Sequence, residues 1–334
     1  MSKTRPLRGY VFLLCAALGW GVGNAVTGIT AAKYALTTPV LAAVDIALAN
    51  TLGGLTFLGG LVVIWRKSTP SGGRADSNVN LLDVKTLVSG ALKGLNTCLF
   101  VLSVTYIVAT KSLVLESTYV LWAVLLSVLF STRSIPVLAT SSKALLLCIG
   151  AFLVSGTAGT NEGSQPVTGI VFGLSAGLSY AGYLLIWSRV TEVLKDTLGQ
   201  LRSTAKLLVV SAVTIVLVTE GFVGISTGFP WIPLGTLGSR DVYLQTANGV
   251  LVIGVVYLFI TIGMGNLKDA AEGASVIAAF CLSLSIPITL LVEWAIGKFA
   301  PSLVQLLGGV LFIVAFVSMS VTVRRVRESR TENE

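Results

Sequence analysis

The sequence predicts an all-α integral membrane protein with ten transmembrane helices, arranged as two inverted five-helix repeats. Hydrophobic residues make up 54% of the 334 residues and charged residues only 11%, whereas soluble domains carry about 25% charge. The apolar residues fall into ten runs, and about 20 such residues cross a bilayer as a helix. The pattern of the first run returns in the sixth, which divides the chain into two halves of five runs each.

The ten spans follow one another with short polar connections between most of them. The fifth and sixth runs, at 144–159 and 168–187, are short. We expect the spans near residues 9–32, 38–65, 86–107, 112–131, 144–159, 168–187, 207–225, 247–267, 271–295 and 302–323.

The internal repeat is clearest in the first run of each half. Residues 9–20 read G-Y-V-F-L-L-C-A-A-L-G-W, and residues 169–180 read G-I-V-F-G-L-S-A-G-L-S-Y. A unit that crosses the membrane five times begins on one side and ends on the other, so its second copy must be upside down. Inverted repeats are typical of secondary transporters. The predicted units are a first repeat at 1–160, a second at 161–325 and a cytoplasmic tail at 326–334.

The basic residues indicate the orientation of the spans. The net charge is +8, and most Lys and Arg residues lie at span ends, with 18 on one side, four on the other and Lys93 within a span. Loops rich in Lys and Arg stay in the cytoplasm. We therefore expect a multi-pass protein of the cell (plasma or inner) membrane with both termini cytoplasmic, and no nucleic-acid partner.

The residue types exclude several kinds of chemistry. The chain has no histidine, and its four cysteines form no C-x-x-C pair. A Ser-His-Asp triad is therefore absent, and neither a metal site nor a disulfide framework is indicated. No phosphate-binding loop, paired carboxylates on one face or channel filter segment is visible. We expect neither an enzyme nor a cofactor; the partners are a small-molecule substrate and the lipid bilayer.

Several motifs resemble those of the drug/metabolite transporter superfamily, in its EamA-like branch. They are A-L-G-W-G and G-L-S-Y-A in the first spans of the repeats, L-S-I-P-I-T-L-L at 284–291, L-C-I-G-A-F-L-V-S-G at 147–156 and L-L-G-G-V-L-F-I-V-A at 306–315. The resemblance covers nearly the whole chain and implies a ten-span carrier. The fourth span departs from the pattern because it has no proline, and Asp45 stands near the place where the second span often carries an arginine.

Lys93 is the candidate for binding the anionic group of a substrate. Ionisable groups inside a bilayer cost about 2.5–3.5 kcal/mol each on insertion scales and therefore mark functional sites. Asn96 lies three residues further on the same helix face. An ammonium beside an amide suits a carboxylate or a phosphate. The alternative is a lysine whose long side chain reaches the cytoplasmic headgroups.

Three acidic residues, Asp45, Glu116 and Glu272, are candidates for coupling or gating. Glu116 and Glu272 begin equivalent spans of the two repeats, so inversion places them on opposite sides of one cavity. The alternative is that both are interfacial residues stabilised by the helix dipole. Asp45 fits a proton site, a substrate contact or a packing contact equally well. It differs from Lys93 in depth by roughly 10 Å, so direct pairing of the two is not expected.

Aromatic and amide side chains on three spans are expected to form the wall of the substrate cavity. The alternative for such stripes is lipid contact or packing. The pairs that share a helix face are Trp20 with Asn24, Tyr119 with Trp122, and Tyr180 with Tyr183.

The leading functional hypothesis is a secondary-active transporter that exports amino acids or related small metabolites by alternating access. With no ATP-binding motif, its energy is expected from an ion or solute gradient, with protons and sodium as the candidate ions. The alternative is an uptake or exchange carrier for a sugar, a nucleotide sugar or a phosphorylated metabolite.

Overall fold

The computed structural model describes residues 4–34, 37–68, 83–107, 109–130, 137–155, 166–194, 196–227, 233–267, 273–296, 300 and 302–331. These parts of the chain are helical and contain no strand. The helices are α1 (Thr4–Tyr34), α2 (Pro39–Ser68), α3 (Val84–Tyr106), α4 (Ala109–Glu116), α5 (Tyr119–Phe130), α6 (Val137–Ser155), α7 (Pro166–Thr191), α8 (Thr197–Thr227), α9 (Ser239–Gly249), a π-helical segment (Val250–Val255), α10 (Val256–Asn266), α11 (Ala274–Ser283), α12 (Ser285–Ala295) and α13 (Leu303–Thr331).

The structure confirms the prediction of an all-α protein whose helices suit a membrane. Eight helical stretches in the described residues are long and apolar enough to cross a bilayer: Leu7–Tyr34, Val40–Trp65, Val84–Tyr106, Lys111–Phe130, Val167–Thr191, Thr197–Gly221, Ser239–Asn266 and Ala274–Ala295. Two shorter apolar helices, Ala139–Leu153 and Leu303–Ser318, lie where the fifth and tenth spans are expected.

The helix at the eighth predicted span begins much earlier than its apolar run. The prediction starts at residue 247, whereas α9 begins at Ser239 and continues through the π-helical segment into α10. The first turns of α9 carry Asp241, Gln245 and Asn248, all three buried. Their spacing places them on one helix face, which explains why hydropathy alone misses these turns.

Two of the apolar stretches are interrupted helices. In the first half α4 ends at Glu116 and α5 begins at Tyr119, and the hydroxyls of Ser117 and Thr118 donate to backbone carbonyls three residues earlier, at 2.5 and 2.7 Å. In the second half α11 and α12 meet at Leu284. Pro287 follows and cannot donate to the carbonyl four residues before it. Serine or threonine bonds to carbonyls three residues earlier therefore accompany both interruptions, through Ser283 in the second, and a proline accompanies only the second.

The first helix of each half packs mainly against helices of the other half. α1 contacts α10 and α12, whereas α7 contacts α3 and α5. α6 and α13 pack against each other. Glycines bring some of these helices into backbone contact: a Cβ added at Gly53 of α2 would lie 1.9 Å from the carbonyl oxygen of Thr246 in α9. The centre of the bundle is consequently enclosed by α1, α2, α3, α4 and the helix that runs from α9 to α10.

Candidate functional site

A small polar cavity lies at the centre of the bundle. Its volume of about 30 Å³ is room for two or three water molecules, since one water needs roughly 10–15 Å³ measured in this way. The cavity is therefore too small in this conformation for any molecule larger than a few waters. The cavity is lined by Trp20, Asn24, Thr27, Asn50, Lys93, Asn96, Thr97, Phe100, Val101, Glu116, Val252, Ile253 and Tyr257.

Lys93 points its ammonium group into this cavity and is 1% exposed. Its Nζ donates a hydrogen bond to Oγ1 of Thr97 and lies 4.6 Å from the ring centroid of Tyr257, a cation–π contact. An ammonium has three donors, so the bond to Thr97 leaves capacity for a ligand. The side chain ends among protein groups at the centre of the bundle.

Glu116 lies on the same cavity wall and is 2% exposed. Its Oε1 accepts a hydrogen bond of 2.8 Å from Nδ2 of Asn96, which also donates at 3.1 Å to the carbonyl oxygen of Ala176. Asn96 thus connects α3, α4 and α7. Glu116 forms no ion pair within 4 Å with Lys93, and the two described side chains face a shared space.

Trp20 and Asn24 complete the α1 side of the cavity, as their spacing on one helix face predicts. The amide nitrogen of Asn24 is buried and has no hydrogen-bond partner in the described structure. A buried donor without a partner is costly, so this group is suited to an acceptor that a ligand brings.

A cluster of aromatic rings lies directly behind the cavity. Tyr180 contacts Trp20 and Tyr119, each at 5.0 Å between ring centroids, and Tyr183 at 5.3 Å. Tyr183 in turn contacts Tyr257 at 5.8 Å. Among the residues that the structure describes, the buried hydroxyls of Tyr119 and Tyr183 have no hydrogen-bond partner. These three predicted tyrosines therefore support the cavity wall from behind.

The remaining predicted aromatic residue, Trp122, lies apart from the cavity lining. It is half-buried and packs against the hydrophobic core.

The two other acidic candidates have different positions. Asp45 is fully buried, and its carboxylate accepts hydrogen bonds from the backbone N–H groups of Leu234 at 2.9 Å and Thr236 at 2.8 Å. Leu234 has φ of +62°, a conformation that non-glycine residues adopt rarely. Asp45 therefore holds the connection before α9. Glu272 lies outside the described residues.

Several cavity residues are absent from the sequence-based candidates. Tyr257 holds the ammonium of Lys93, while Thr27, Asn50 and Thr97 add polar groups to the lining. Thr27 and Asn50 are in turn bound by Asn248, which belongs to the polar face of α9 that is buried against α1 and α2. A search for polar residues at helical spacing before an apolar run could have found it.

The comparisons with known proteins support the fold. No protein-family model matches the chain, and no curated protein matches it. A solved structure described only as "Crystal structure of protein" matches with a TM-score of 0.61 and 19% identity, over 98% of this chain and 99% of that chain. At this identity the likeness shows the fold alone.

Proposed function

We propose that this chain is a secondary-active transporter of the EamA-like, ten-span type, which exports amino acids or related small metabolites through the central cavity. The observation that carries the proposal is the presence of Lys93 and Glu116 on one small cavity inside an apolar bundle. Buried charges in a membrane protein are costly and mark substrate or ion pathways.

The balance of charge in the cavity favours a solute with both an ammonium and a carboxylate. Lys93 and Glu116 carry opposite charges, so such a zwitterion enters without leaving a net buried charge. Its carboxylate suits Lys93 and the free amide donor of Asn24, and its ammonium suits Glu116. Trp20 and Tyr257 offer aromatic surface to the rest of the solute.

A carrier for a sugar, a nucleotide sugar or a phosphorylated metabolite is the second candidate. Lys93 and the aromatic wall favour it, because an ammonium binds phosphate and aromatic rings pack against sugars. Glu116 on the same wall opposes it, since a phosphate with about two negative charges would face a carboxylate.

The packing pattern supports two inverted repeats of five helices. α1 packs against the helices at the third and fourth span positions of the second half, and α7 packs against those of the first half. The interrupted helices at Ser117 and Leu284 hold the same position in each half. Discontinuous helices beside a central site are a common feature of inverted-repeat transporters. Alternating access then requires the two halves to rock about the cavity.

Ligand binding by the purified protein tests this function directly. A ligand that binds only the folded state at 100 times its Kd raises the stability by about 2.7 kcal/mol. We expect a thermal-shift screen to identify amino acids or related zwitterions, and counterflow into liposomes to show transport of the same compounds. Lys93→Met with Glu116→Gln, which keeps the cavity neutral, should abolish the shift.

Lys85→Met is the matched control because Lys85 is exposed on the same helix as Lys93. It should keep the full shift. A ligand whose stabilising effect survives the double substitution would contradict the site, and a screen that finds only sugar phosphates would favour the second candidate.

A further inference from the structure

The seam where α1, α2 and α9 meet lies between the central cavity and the start of α9. Three side chains of α9 face it at helical spacing: Asp241, Gln245 and Asn248. From Asp241 to Asn248 the helix rises about 10 Å, at 1.5 Å per residue. Each of the three makes hydrogen bonds to α1 or α2, so the seam contains three polar layers.

The innermost layer is centred on Asn248 and adjoins the cavity. Nδ2 of Asn248 donates to the carbonyl oxygen of Gly23 at 3.1 Å, to Oγ1 of Thr27 at 3.2 Å and to Oδ1 of Asn50 at 3.4 Å. Thr27 and Asn50 also line the cavity. Asn248 therefore joins helices from both halves of the chain directly beside the cavity.

The middle layer is centred on Gln245. Its Nε2 donates to Oγ1 of Thr30 at 2.6 Å, and its Oε1 accepts from Nδ2 of Asn50 at 3.1 Å. Both Gln245 and Thr30 are fully buried. These bonds of the Gln245 and Asn50 amides therefore exist only while α9 stays against α1 and α2.

The outer layer is a charged latch at the start of α9. Asp241 accepts hydrogen bonds from Nζ of Lys33 at 2.6 Å and from the hydroxyl of Tyr34 at 2.9 Å. The same hydroxyl accepts from the backbone N–H of Gly238 at 3.1 Å. The two bonds from Leu234 and Thr236 to Asp45 described above fix the connection that precedes this latch.

The seam between α3 and α8 on the other side of Lys93 is built differently. A Cβ at Gly90 would lie 2.5 Å from the side chain of Val210, and one at Gly94 would lie 2.6 Å from the carbonyl oxygen of Ser211. The hydroxyls of Ser89 and Thr214 donate to carbonyls of their own helices. Close packing therefore holds this seam. The α1–α2–α9 seam is packed at least as closely at Gly53 and Gly249 and has, in addition, the side-chain hydrogen bonds between helices described above.

We propose that the α1–α2–α9 seam is the route by which the solute passes between the central cavity and the membrane face at the start of α9, and that its three polar layers close this route in the present conformation. The proposal rests on the transport function. A column of polar groups through an apolar bundle suits a route that water and a polar solute enter when the helices part. The layers join the halves that alternating access must separate.

The test measures how fast a buried cysteine in the seam reacts with a charged, impermeant thiol reagent in the purified protein. Thr30→Cys is the reporter, in a background in which Cys15, Cys98, Cys148 and Cys281 are serine. Asp241→Ala removes the latch and should raise the reaction rate about tenfold, the change that about 1.4 kcal/mol produces in an equilibrium. Arg240→Ala, an exposed neighbour, should leave the rate unchanged.

Lys33 is the half-exposed partner of Asp241, so Lys33→Met breaks the same latch. This second variant decides the test if the Asp241→Ala protein does not fold. A second reporter, Ser89→Cys, lies beside the α3–α8 seam and should not gain reactivity. Unchanged reactivity at position 30 in folded Lys33→Met protein would overturn the proposal, and so would equal gains at positions 30 and 89. The readout needs no solute. If breaking the latch exposes position 30 in a protein that transports no solute, the proposed transport function is contradicted, but the closure of the seam by its polar layers is not.

Discussion

Two glycine pairs on α2, residues 53–54 and 59–60, have the same composition and opposite surroundings. A Cβ at Gly53 would lie 1.9 Å from the carbonyl oxygen of Thr246, whereas one at Gly60 would have no atom within 4 Å. The same substitution, glycine to alanine, should therefore have opposite effects at the two positions.

The size of each effect follows from the geometry. Ordinary contacts of a Cβ begin near 3.4 Å, whereas the Cβ of an alanine at position 53 would lie 1.9 Å from the carbonyl oxygen of Thr246. Both groups belong to helix backbones, so the clash can be relieved only if α2 and α9 move apart by roughly 1.5 Å. Overpacking of this kind typically costs about 1–3 kcal/mol, and the parting also weakens the bonds of Gln245 and Asn248 to Asn50. Alanine at position 60 gains up to about 1 kcal/mol of helix propensity.

The assay is thermal unfolding of the purified variants in one detergent, followed by tryptophan fluorescence and by the fraction that remains monodisperse. Gly53→Ala should unfold at a lower temperature than the parent, and Gly60→Ala at the same or a higher one. If Gly53→Ala is as stable as Gly60→Ala, then α2 and α9 do not meet as described and the closed seam is wrong.

Two further predictions concern coupling and orientation. Glu116→Gln should remove the pH dependence of net transport; solute exchange should continue, at a lower apparent affinity because the solute's ammonium loses its charged partner, since exchange needs only the loaded carrier to reorient. Asp45→Asn should keep that pH dependence because Asp45 binds backbone N–H groups; the reverse result in liposome flux assays would make Asp45 the proton site. In intact cells, a cysteine at the exposed Ser239 should react with an impermeant reagent and one at the exposed Thr197 should not; the opposite pattern would invert the topology.

The class of fold could be predicted from the sequence because hydropathy is a strong signal over 20 residues. The same signal failed where buried polar residues interrupt it. At the start of α9, Asp241, Gln245 and Asn248 face other helices, so the hydropathy of these turns resembles that of a polar loop although one face of the helix is buried. The interruption at Ser117 and Thr118 was also not predictable, because no proline marks it in the sequence. The hydroxyls of these two residues bind nearby backbone carbonyls instead.

The site was partly predictable for the same reason. Trp20, Asn24, Lys93, Asn96 and Glu116 all line the cavity, since buried polar and aromatic residues on apolar helices are rare enough to be noticed one by one. Their mutual contacts were not predictable, because they depend on how the helices are rotated and on which half each helix packs against.

The relation between Lys93 and Glu116 shows how sensitive such reasoning is to helix ends. Predicted span starts at residues 86 and 112 leave the two residues about 14 Å apart in depth, at 1.5 Å per residue in a core of about 30 Å. The helices begin at Val84 and Ala109, and the same calculation then leaves only about 6 Å. A shift of two or three residues at the start of each helix is thus enough to bring two charges that the prediction keeps apart to the lining of one cavity.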